Sequence, residues 1–275
     1  MKITTLLENT SADPRLKAAH GLSLYIETAE ETVLFDTGPD ASFLANAQML
    51  GASIADVDVC VLSHGHNDHG GGLATFLAAN DHANVFLTPD AFGAHYSLRD
   101  GEFRYIGLDE NLKQSGDRLI STNDVMAIGN LLIFSGVESH CCCSPANGNL
   151  YARRADGTMV PDDFCHEQDL VITEGEKTVL FAGCAHAGIL NILQKFTSRF
   201  GTAPDAVFGG FHFSGGQISY DAVAPTVEAT CDKLEKYDRT VFYTGHCTGP
   251  EAFAHMKSRL GDRLQAISTG LTFEV

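Results

Sequence analysis

The sequence predicts an α/β fold in which β-sheets are covered by helices on their outer faces. Two observations carry this prediction. Short apolar runs typical of buried strands alternate with longer segments of helical periodicity. Strands followed by helices also occur once in each half of the chain, which is the order expected of layered sheets and helices. We therefore expect one domain over residues 1–275, with halves at about 1–135 and 169–275.

The first half contains a predicted hairpin, a helix and buried strands. Residues 22–26 and Thr32–Phe35 are β-favouring runs separated by turn residues. Ser42–Leu50 has helical spacing and is followed by a glycine stop. Near-continuous apolar runs favour strands that are buried on both faces, and they lie at 57–62, 84–87 and 131–134.

The second half repeats this logic. A predicted hairpin pairs residues 170–173 with 178–181 across a Glu-Gly-Glu turn. Helical stripes of apolar residues follow; they span 189–200, 223–234 and about 252–260. Further short strands are predicted at 206–208, 240–243 and 264–267.

Two segments interrupt the alternation. Residues 90–124 show no clean period, and we expect an insertion of short helices or loops there. Residues 136–168 contain three consecutive cysteines, Pro145 and an Asn-Gly turn signal. Because long loops in compact domains are often functional, we expect 136–168 to be a lid between the halves.

The charge balance limits the classes of partner. Lys and Arg number 18 against 35 Asp and Glu, a formal net charge of −17. Nucleic-acid binding requires clustered basic residues, and anionic membranes repel an acidic surface. We therefore expect neither a nucleic-acid nor a membrane partner, although a local metal site can still attract a small anionic substrate.

Cysteine usage and the N-terminal sequence indicate a compartment. No segment approaches the roughly 20 apolar residues of a membrane span, and the first residues lack the layout of a signal peptide. Eight cysteines, including the run Cys141-Cys142-Cys143, favour free thiols or metal chemistry over a disulfide framework. These features predict a cytoplasmic protein.

The segment after the strand at 57–62 is the most informative. His64, His66, Asp68 and His69 fall within six positions and are followed by three glycines. Imidazole and carboxylate ligands together suit Zn, Fe or Mn. On an extended loop, His64 and His66 can point one way while Asp68 and His69 turn towards a neighbouring point. This spacing can therefore supply two metal ions a few Å apart.

Residues 63–69 resemble the signature of the metallo-β-lactamase superfamily, His-x-His-x-Asp-His after a strand. The resemblance implies a four-layer αβ/βα sandwich, with two mixed β-sheets face to face, helices on the outer faces and metals at one sheet edge. It also implies a role for Asp36, in Phe-Asp-Thr-Gly after an early strand: orienting a ligating histidine through a hydrogen bond.

The resemblance implies further ligands from the second half. The superfamily places a final histidine where His246 stands, and a metal-bridging Asp where this chain has Cys184, with His186 two residues on. Either the Cys184 thiolate binds metal, or His186 reaches the metals and Cys184 only packs; we favour His186. The superfamily's middle histidine has two alternatives here, His140 and His166.

Three short motifs resemble a narrower branch. They are Gly-Cys-Ala-His-Ala-Gly-Ile, Gly-Gly-Phe-His and Gly-His-Cys-Thr-Gly. They resemble the branch labelled 7,8-dihydropterin-6-yl-methyl-4-(β-D-ribofuranosyl)aminobenzene 5′-phosphate synthase. That branch is linked to methanopterin-type cofactor biosynthesis and to phosphodiesterase-like hydrolysis.

These features together predict a hydrolase with two divalent metal ions. We expect zinc, with Mn or Fe as alternatives, and a metal-activated hydroxide that attacks a small anionic ester. The ester is expected to be a phosphodiester or a pterin-related phosphate. Asp68 would orient the water and relay its proton, and His212 would bind substrate and donate to the developing negative charge.

Arginines in the two insertions are candidates for substrate binding, because their planar donors match phosphate and carboxylate groups. Arg153 and Arg154 are the first candidates, with Arg99, Arg104 and Arg118 beside them.

Two other functions remain open. One is an iron-containing oxidoreductase of the same superfamily, against which the second motif position argues, since it is His66 and not Glu. The other is a non-catalytic ligand-binding member. The sequence does not indicate the oligomeric state or the role of the three consecutive cysteines.

Overall fold

Two seven-stranded β-sheets and one four-stranded sheet organise the computed structural model, which describes residues 1–138 and 141–275. The strands, in chain order, are β1 (Lys2–Leu7), β2 (Ser23–Glu27), β3 (Thr32–Phe35), β4 (Val59–Val61), β5 (Asn84–Leu87), β6 (His95–Arg99), β7 (Glu102–Tyr105), β8 (Leu119–Ser121), β9 (Val125–Ile128), β10 (Leu131–Ser135), β11 (Leu150–Arg153), β12 (Met159–Pro161), β13 (Gln168–Glu174), β14 (Lys177–Phe181), β15 (Ala206–Gly209), β16 (Val241–Thr244), β17 (Leu264–Ala266) and β18 (Thr272–Glu274).

Both large sheets are mixed. The first has the order β18-β1-β2-β3-β4-β5-β8, antiparallel from β18 to β3 and parallel from β3 to β8. The second has the order β17-β16-β15-β14-β13-β10-β9, parallel from β17 to β14 and antiparallel beyond it. Each large sheet thus combines a hairpin region with a region of parallel strands.

Helices cover the outer faces of these sheets. The α-helices are α1 (Ser42–Leu50), α2 (Asn67–Gly70), α3 (Leu73–Ala79), α4 (Ile189–Phe200), α5 (Tyr220–Leu234) and α6 (Pro250–Leu260). Apolar residues of α1 and α3 pack on the outer side of the first sheet, and those of α4, α5 and α6 pack on the second. None of the helices in the described ranges has the length and apolar character needed to cross a lipid bilayer.

The apolar layer between the two large sheets explains why the central strands are continuous apolar runs. On β3, Val33 and Phe35 face the other sheet, while Leu34 packs under the outer helices. On β14, Phe181 faces inward and its ring centroid lies 5.9 Å from that of Phe35. Because alternate residues of these central strands meet two apolar layers, the strands read as continuous apolar runs. The predicted four-layer αβ/βα sandwich is confirmed.

Most predicted elements are present, with differences at their ends. The strand predicted at 57–62 is shorter, Val59–Val61, because the chain leaves the sheet to enter the histidine segment. Residues 2–7 form a strand that the sequence did not predict, paired on both sides within the first sheet.

The two segments read as irregular insertions contain more strand than predicted. β6 and β7 form a hairpin within 90–124, and β11 and β12 form another within 136–168. β6 pairs with β11, with Tyr96 opposite Tyr151, so the two insertions make one four-stranded sheet, β12-β11-β6-β7. The expected short helices in 90–124 are present, at Glu110–Gln114 and Gly116–Arg118. The prediction of loops was wrong at the hairpins, because their pairing is long-range and β7 is exposed on both faces, which removes any alternation of apolar and polar residues.

Candidate metal centre

The site lies where the parallel strands of both large sheets end. Asp36 follows β3, the histidine segment follows β4, Cys184 follows β14 and His246 follows β16. The carboxyl ends of neighbouring parallel strands meet at one sheet edge, so residues far apart in sequence converge. After the histidine segment, a Cβ on Gly71 or Gly72 would lie 2.2 or 2.3 Å from a backbone carbonyl oxygen, so only glycine fits this close approach.

Three imidazoles form a first group of ligand candidates. The ring centroids of His64, His66 and His186 are separated by 4.7, 4.9 and 5.0 Å. Each ring has a buried Nε2 atom without a hydrogen-bond partner in the described chain. Burying a polar atom without a partner is costly, and burial together with the neighbouring imidazoles lowers the pKa of His64 and His186 well below the usual range. Three neutral imidazoles with unpaired nitrogens are candidates for metal ligands. The ligand atoms of His64 lie within 4.8 Å of those of Cys184 and His186 in one group, and of those of His66 and Asp68 in another.

His186 is held by its surroundings in one orientation. Its Nδ1 donates to Asn147 Oδ1 at 3.1 Å, and Asn147 Nδ2 donates to the His186 carbonyl at 2.8 Å, which fixes the orientation of the amide. With the proton on Nδ1, the Nε2 lone pair faces the site. Glu167 accepts the backbone N–H of His186 at 2.7 Å and that of Ala187 at 2.9 Å. Asn147 and Glu167 were not anticipated from the sequence.

A second group joins Asp68, His69, Cys184 and His246, whose ligand atoms all lie within 4.8 Å of one another. The Nε2 atom of His69 is 3.1 Å from Cys184 Sγ and 3.1 Å from His246 Nε2, and Asp68 Oδ2 is 3.3 Å from His246 Nε2. Two imidazole nitrogens this close need a shared proton or a shared cation between them. Carboxylate, imidazole and thiol donors at this spacing fit a transition-metal ion.

Asp36 orients this second group from behind. It is fully buried and its Oδ2 accepts the Nδ1–H of His69 at 2.6 Å, while Ser63 donates its backbone N–H and its hydroxyl to the same carboxylate at 2.7 Å each. Although burial opposes a charged imidazole, Asp36 and Asp68 raise the pKa of His69 to about 9. Asp36 therefore directs the opposite nitrogen of His69 into the site.

Cys184 lies between the two groups. Its Sγ belongs to the second group and also lies within 4.8 Å of ligand atoms of His64 and His186. A further group adds His212 and Cys247 to the same sulfur. Burial and the neighbouring Cys247 thiol raise the pKa of Cys184 well above its usual value. A cation on either side would counter this and favour the thiolate.

His212 reaches the site from the loop after β15. Both of its ring nitrogens are buried and lack a hydrogen-bond partner among the described residues, and its ring centroid lies 4.2 Å from that of His186. It shares a positive φ with three other residues at the site; the four are Asp36, Ala185, His212 and His246, at φ 49° to 61°. Left-handed backbone in non-glycine residues is costly and clusters at functional sites.

A buried cluster from the insertions lies behind His66. Asp162 Oδ2 is 2.9 Å from His95 Nδ1 and 3.3 Å from His166 Nε2, and the ligand atoms of these three residues and His66 lie within 4.8 Å. The Gly65 N–H donates to His166 Nδ1 at 2.9 Å, which leaves the proton of a neutral His166 on Nε2, facing Asp162. His166 thus holds the histidine segment through its backbone. Its Nε2 lies 3.3 Å from Asp162 Oδ2 and, like those of the three imidazoles, has no hydrogen-bond partner in the described chain. His140, the other candidate for the middle histidine, lies outside the described residues.

His95 and Asp162 were missed by the sequence analysis. The signal available was weak: in β6 the buried residues are His95 and Ser97, a polar alternation that marks a face turned towards something other than apolar core. Asp162 and His166 are four positions apart in a stretch with no periodicity, so only the fold brings them to His95.

An open cavity of about 500 Å³ lies over the site. Its walls include Asp68, Cys184, His186, His212 and His246. Among the arginines predicted to bind substrate, Arg99 lines this cavity. Arg153 and Arg154 are not among its lining residues; both are exposed, and the Arg153 guanidinium lies 5.3 Å from the Tyr96 ring centroid.

Comparisons with known proteins agree with this arrangement. The metallo-β-lactamase superfamily profile matches residues 17–140. The 7,8-dihydropterin-6-methyl-4-(β-D-ribofuranosyl)-aminobenzene-5′-phosphate synthase of Methanocaldococcus jannaschii is 28% identical over 270 residues, covering 92% of this chain and 89% of that protein. An uncharacterized protein of the same organism is 29% identical, with 92% and 93% covered.

Among solved structures, Tm1679, described as a metal-dependent hydrolase of the β-lactamase superfamily, is 28% identical. It covers 100% of this chain and 99% of its own, with a TM-score of 0.81. A diphosphatase of the PhnP family shares the fold at 13% identity and a TM-score of 0.52, with 100% and 97% covered.

Proposed function

We propose that this chain, which resembles the metallo-β-lactamase superfamily in its histidine motif and in its fold, is a hydrolase that uses two divalent metal ions to cleave a small anionic ester, foremost a phosphodiester. The observation that carries the proposal is the pair of ligand groups around Cys184. His64, His66 and His186 would hold one ion, and Asp68, His69 and His246 the other. The Cys184 sulfur lies within 4.8 Å of ligand atoms of His64 and His186 and of the second group.

The donor set indicates zinc, with iron or manganese as alternatives. Imidazole and thiolate suit zinc and iron, whereas a thiolate disfavours manganese. Bound there, such ions polarise an ester oxygen and supply a hydroxide nucleophile near neutral pH.

The protein's own residues then position the substrate and move protons. Asp68 faces the cavity, and its Oδ2 is 3.3 Å from Nε2 of His20, whose side chain is 64% exposed. Asp68 can therefore accept a proton at Oδ2 and pass it through His20 to solvent. His212, with both nitrogens unpaired in the described chain, can donate a hydrogen bond to the oxygen on which negative charge develops.

The named relative suggests one specific substrate class to test. Its printed name describes a dihydropterin joined to a ribosyl-aminobenzene phosphate. A pterin-linked phosphate therefore belongs in the substrate panel beside simple phosphodiesters.

The test combines metal analysis with turnover. We expect purified protein to hold two equivalents of metal and to hydrolyse bis(p-nitrophenyl) phosphate when loaded with zinc. His66→Ala should lose metal and turnover together, whereas His82→Ala, at an exposed histidine that belongs to none of the ligand groups, should retain both. Asp68→Asn should lower turnover more than metal content.

Three results would overturn the proposal. Metal-loaded protein that cleaves nothing in a panel of phosphodiesters, lactones and thioesters would indicate a ligand-binding protein. Iron with a redox-active spectrum would indicate an oxidoreductase. An active His66→Ala variant with full metal content would place the centre elsewhere.

A further inference from the structure

The cavity has a second polar wall, formed by Ser97 and Arg99 of β6 together with Asn149, Gly216 and Gln217. We call these five residues the Arg99 wall. None of them belongs to the two ligand groups, and the side-chain hydrogen bonds that they make within the described chain link them to one another or to Asp100. The wall therefore needs an explanation separate from the metal ions.

The Arg99 wall presents donors without matching acceptors. Arg99 Nε donates to Ser97 Oγ at 3.2 Å, and Asn149 Nδ2 donates to the same oxygen at 3.2 Å. Since Ser97 Oγ already accepts two hydrogen bonds, its own proton is available to a further acceptor. The two Nη groups of Arg99 make no hydrogen bond or ion pair within the described chain. A guanidinium edge and a hydroxyl proton thus have unused donor capacity.

The carboxylates near Arg99 form no ion pair with it among the described residues. Asp100, which also lines the cavity, accepts from Gln217 Nε2 at 2.5 Å through Oδ1, and its Oδ2 lies 3.8 Å from Arg104 Nη2. Glu102 stands opposite Arg99 in the β6–β7 register. Arg99 is exposed at the cavity, so its guanidinium is accessible to an anion from solvent.

Two of the other insertion arginines are engaged elsewhere. Arg118 donates to the carbonyls of Asn80 at 2.7 Å and Ala83 at 2.9 Å, and Arg153 lies over the ring of Tyr96. Arg99 is thus the basic residue, besides histidines, that lines the cavity among the described residues.

The backbone at Gly216 packs closely against the Asn149 side chain in the Arg99 wall. Gly216 has a φ of +57°, and a Cβ there would lie 2.3 Å from Asn149 Nδ2. Only glycine allows this loop to press against Asn149 at that conformation.

We propose that the Arg99 wall binds a phosphate monoester on the substrate, remote from the bond that is cleaved; this rests on the proposed function. Three terminal oxygens accept several hydrogen bonds at once, which matches the guanidinium edge, the Ser97 hydroxyl and the Asn149 amide better than two carboxylate oxygens do. The protein thus selects small diesters or esters that carry a second phosphate.

The test uses two substrates that share one scissile bond. They are the p-nitrophenyl ester of thymidine 5′-phosphate and the same compound with an added 3′-phosphate. We expect zinc-loaded wild type to favour the 3′-phosphorylated substrate. Arg99→Ala should raise its KM by about tenfold or more, leave its kcat within about twofold, and leave both constants for the other substrate unchanged. Arg99→Lys should recover part of the KM, since a point charge lacks the planar fork.

Arg199→Ala is the matched control, because it removes one exposed arginine, on α4, that does not line the cavity. Equal effects of Arg99→Ala and Arg199→Ala, or none from Arg99→Ala, would overturn the inference. If neither substrate is cleaved, the proposed function fails and calorimetry with ribose 5-phosphate against ribose decides the inference. Weaker binding of the phosphorylated sugar to Arg99→Ala then supports it, and equal binding rejects it.

Discussion

At the scale of single residues, this site differs from the superfamily pattern at Cys184, where that pattern has a metal-bridging Asp. The sequence left open whether its thiol binds metal or only packs. The structure brings its sulfur to within 3.1 Å of His69 Nε2 and near both ligand groups. Burial and the neighbouring Cys247 thiol raise the pKa of Cys184, so a thiolate there needs a nearby cation.

We predict that Cys184→Asp shifts the metal preference of the site. Replacing a soft thiolate by a carboxylate should lower the preference for zinc over manganese by about tenfold or more. Competition with a chelating dye, followed by elemental analysis, measures this ratio. Cys165→Ser, at an exposed thiol, is the control. An unchanged ratio in Cys184→Asp would show that Cys184 only packs.

The residues that sequence could predict share one property: they lie in a short local motif. His64, His66, Asp68 and His69 follow one strand, so their convergence needs only a loop and one helical turn. His95 and Asp162 could not be predicted, because each joins the site through a strand pairing of the insertion sheet that no local pattern reveals. Candidate residues within one short segment were therefore predictable from the sequence, whereas those that long-range strand pairing brings together were found only in the structure.

At the scale of elements, the same contrast separates the large sheets from the small one. The hairpin of β2 and β3 and the strands β4, β5, β10, β13 and β14 were visible as apolar runs because helices and a second sheet bury them on both faces. The insertion sheet has one side near solvent and was read as loop. Yet this sheet supplies His95, and Asp162 follows the end of β12. His166, four residues after Asp162, accepts the N–H of Gly65 between the two candidate ligands His64 and His66.

We predict that His166→Phe weakens metal binding without removing a ligand. The Gly65 N–H loses its acceptor, so the backbone between His64 and His66 is no longer fixed, and affinity should fall by about 10- to 100-fold. Competition with a chelating dye measures this, and the d–d spectrum of cobalt-substituted protein should change with it.

His166→Gln should recover part of the affinity, since its amide oxygen can accept the same N–H. His255→Phe, at a partly exposed histidine on α6, controls for the loss of an imidazole. Metal affinity of His166→Phe within twofold of wild type would contradict the positioning role.

At the scale of the whole molecule, the two halves are joined by the apolar layer between the large sheets. Residues of β1 to β5 form one side of that layer, and residues of β10, β13, β14 and β15 form the other. The layer includes Phe35, Phe181 and Phe208. The two groups of ligand candidates likewise combine residues from both halves of the chain. The stability of the fold and the positions of the candidate ligands therefore both depend on the apolar layer between the large sheets. This shared layer is the physical reason to expect one domain over residues 1–275.

Phe181→Ala tests that dependence. Phe181 is fully buried, with ring centroids of Phe35 and Phe208 at 5.9 and 5.5 Å, so truncation leaves a cavity between the sheets. We expect the free energy of unfolding to fall by about 3–5 kcal/mol, with metal-free wild type and variant each showing one urea transition by circular dichroism and by tyrosine fluorescence. Phe103→Ala, at a ring 43% exposed on β7, should stay within about 0.5 kcal/mol of wild type. Two separate transitions, with Phe181→Ala shifting only one, would mean that the halves unfold independently and that their shared layer does not couple them.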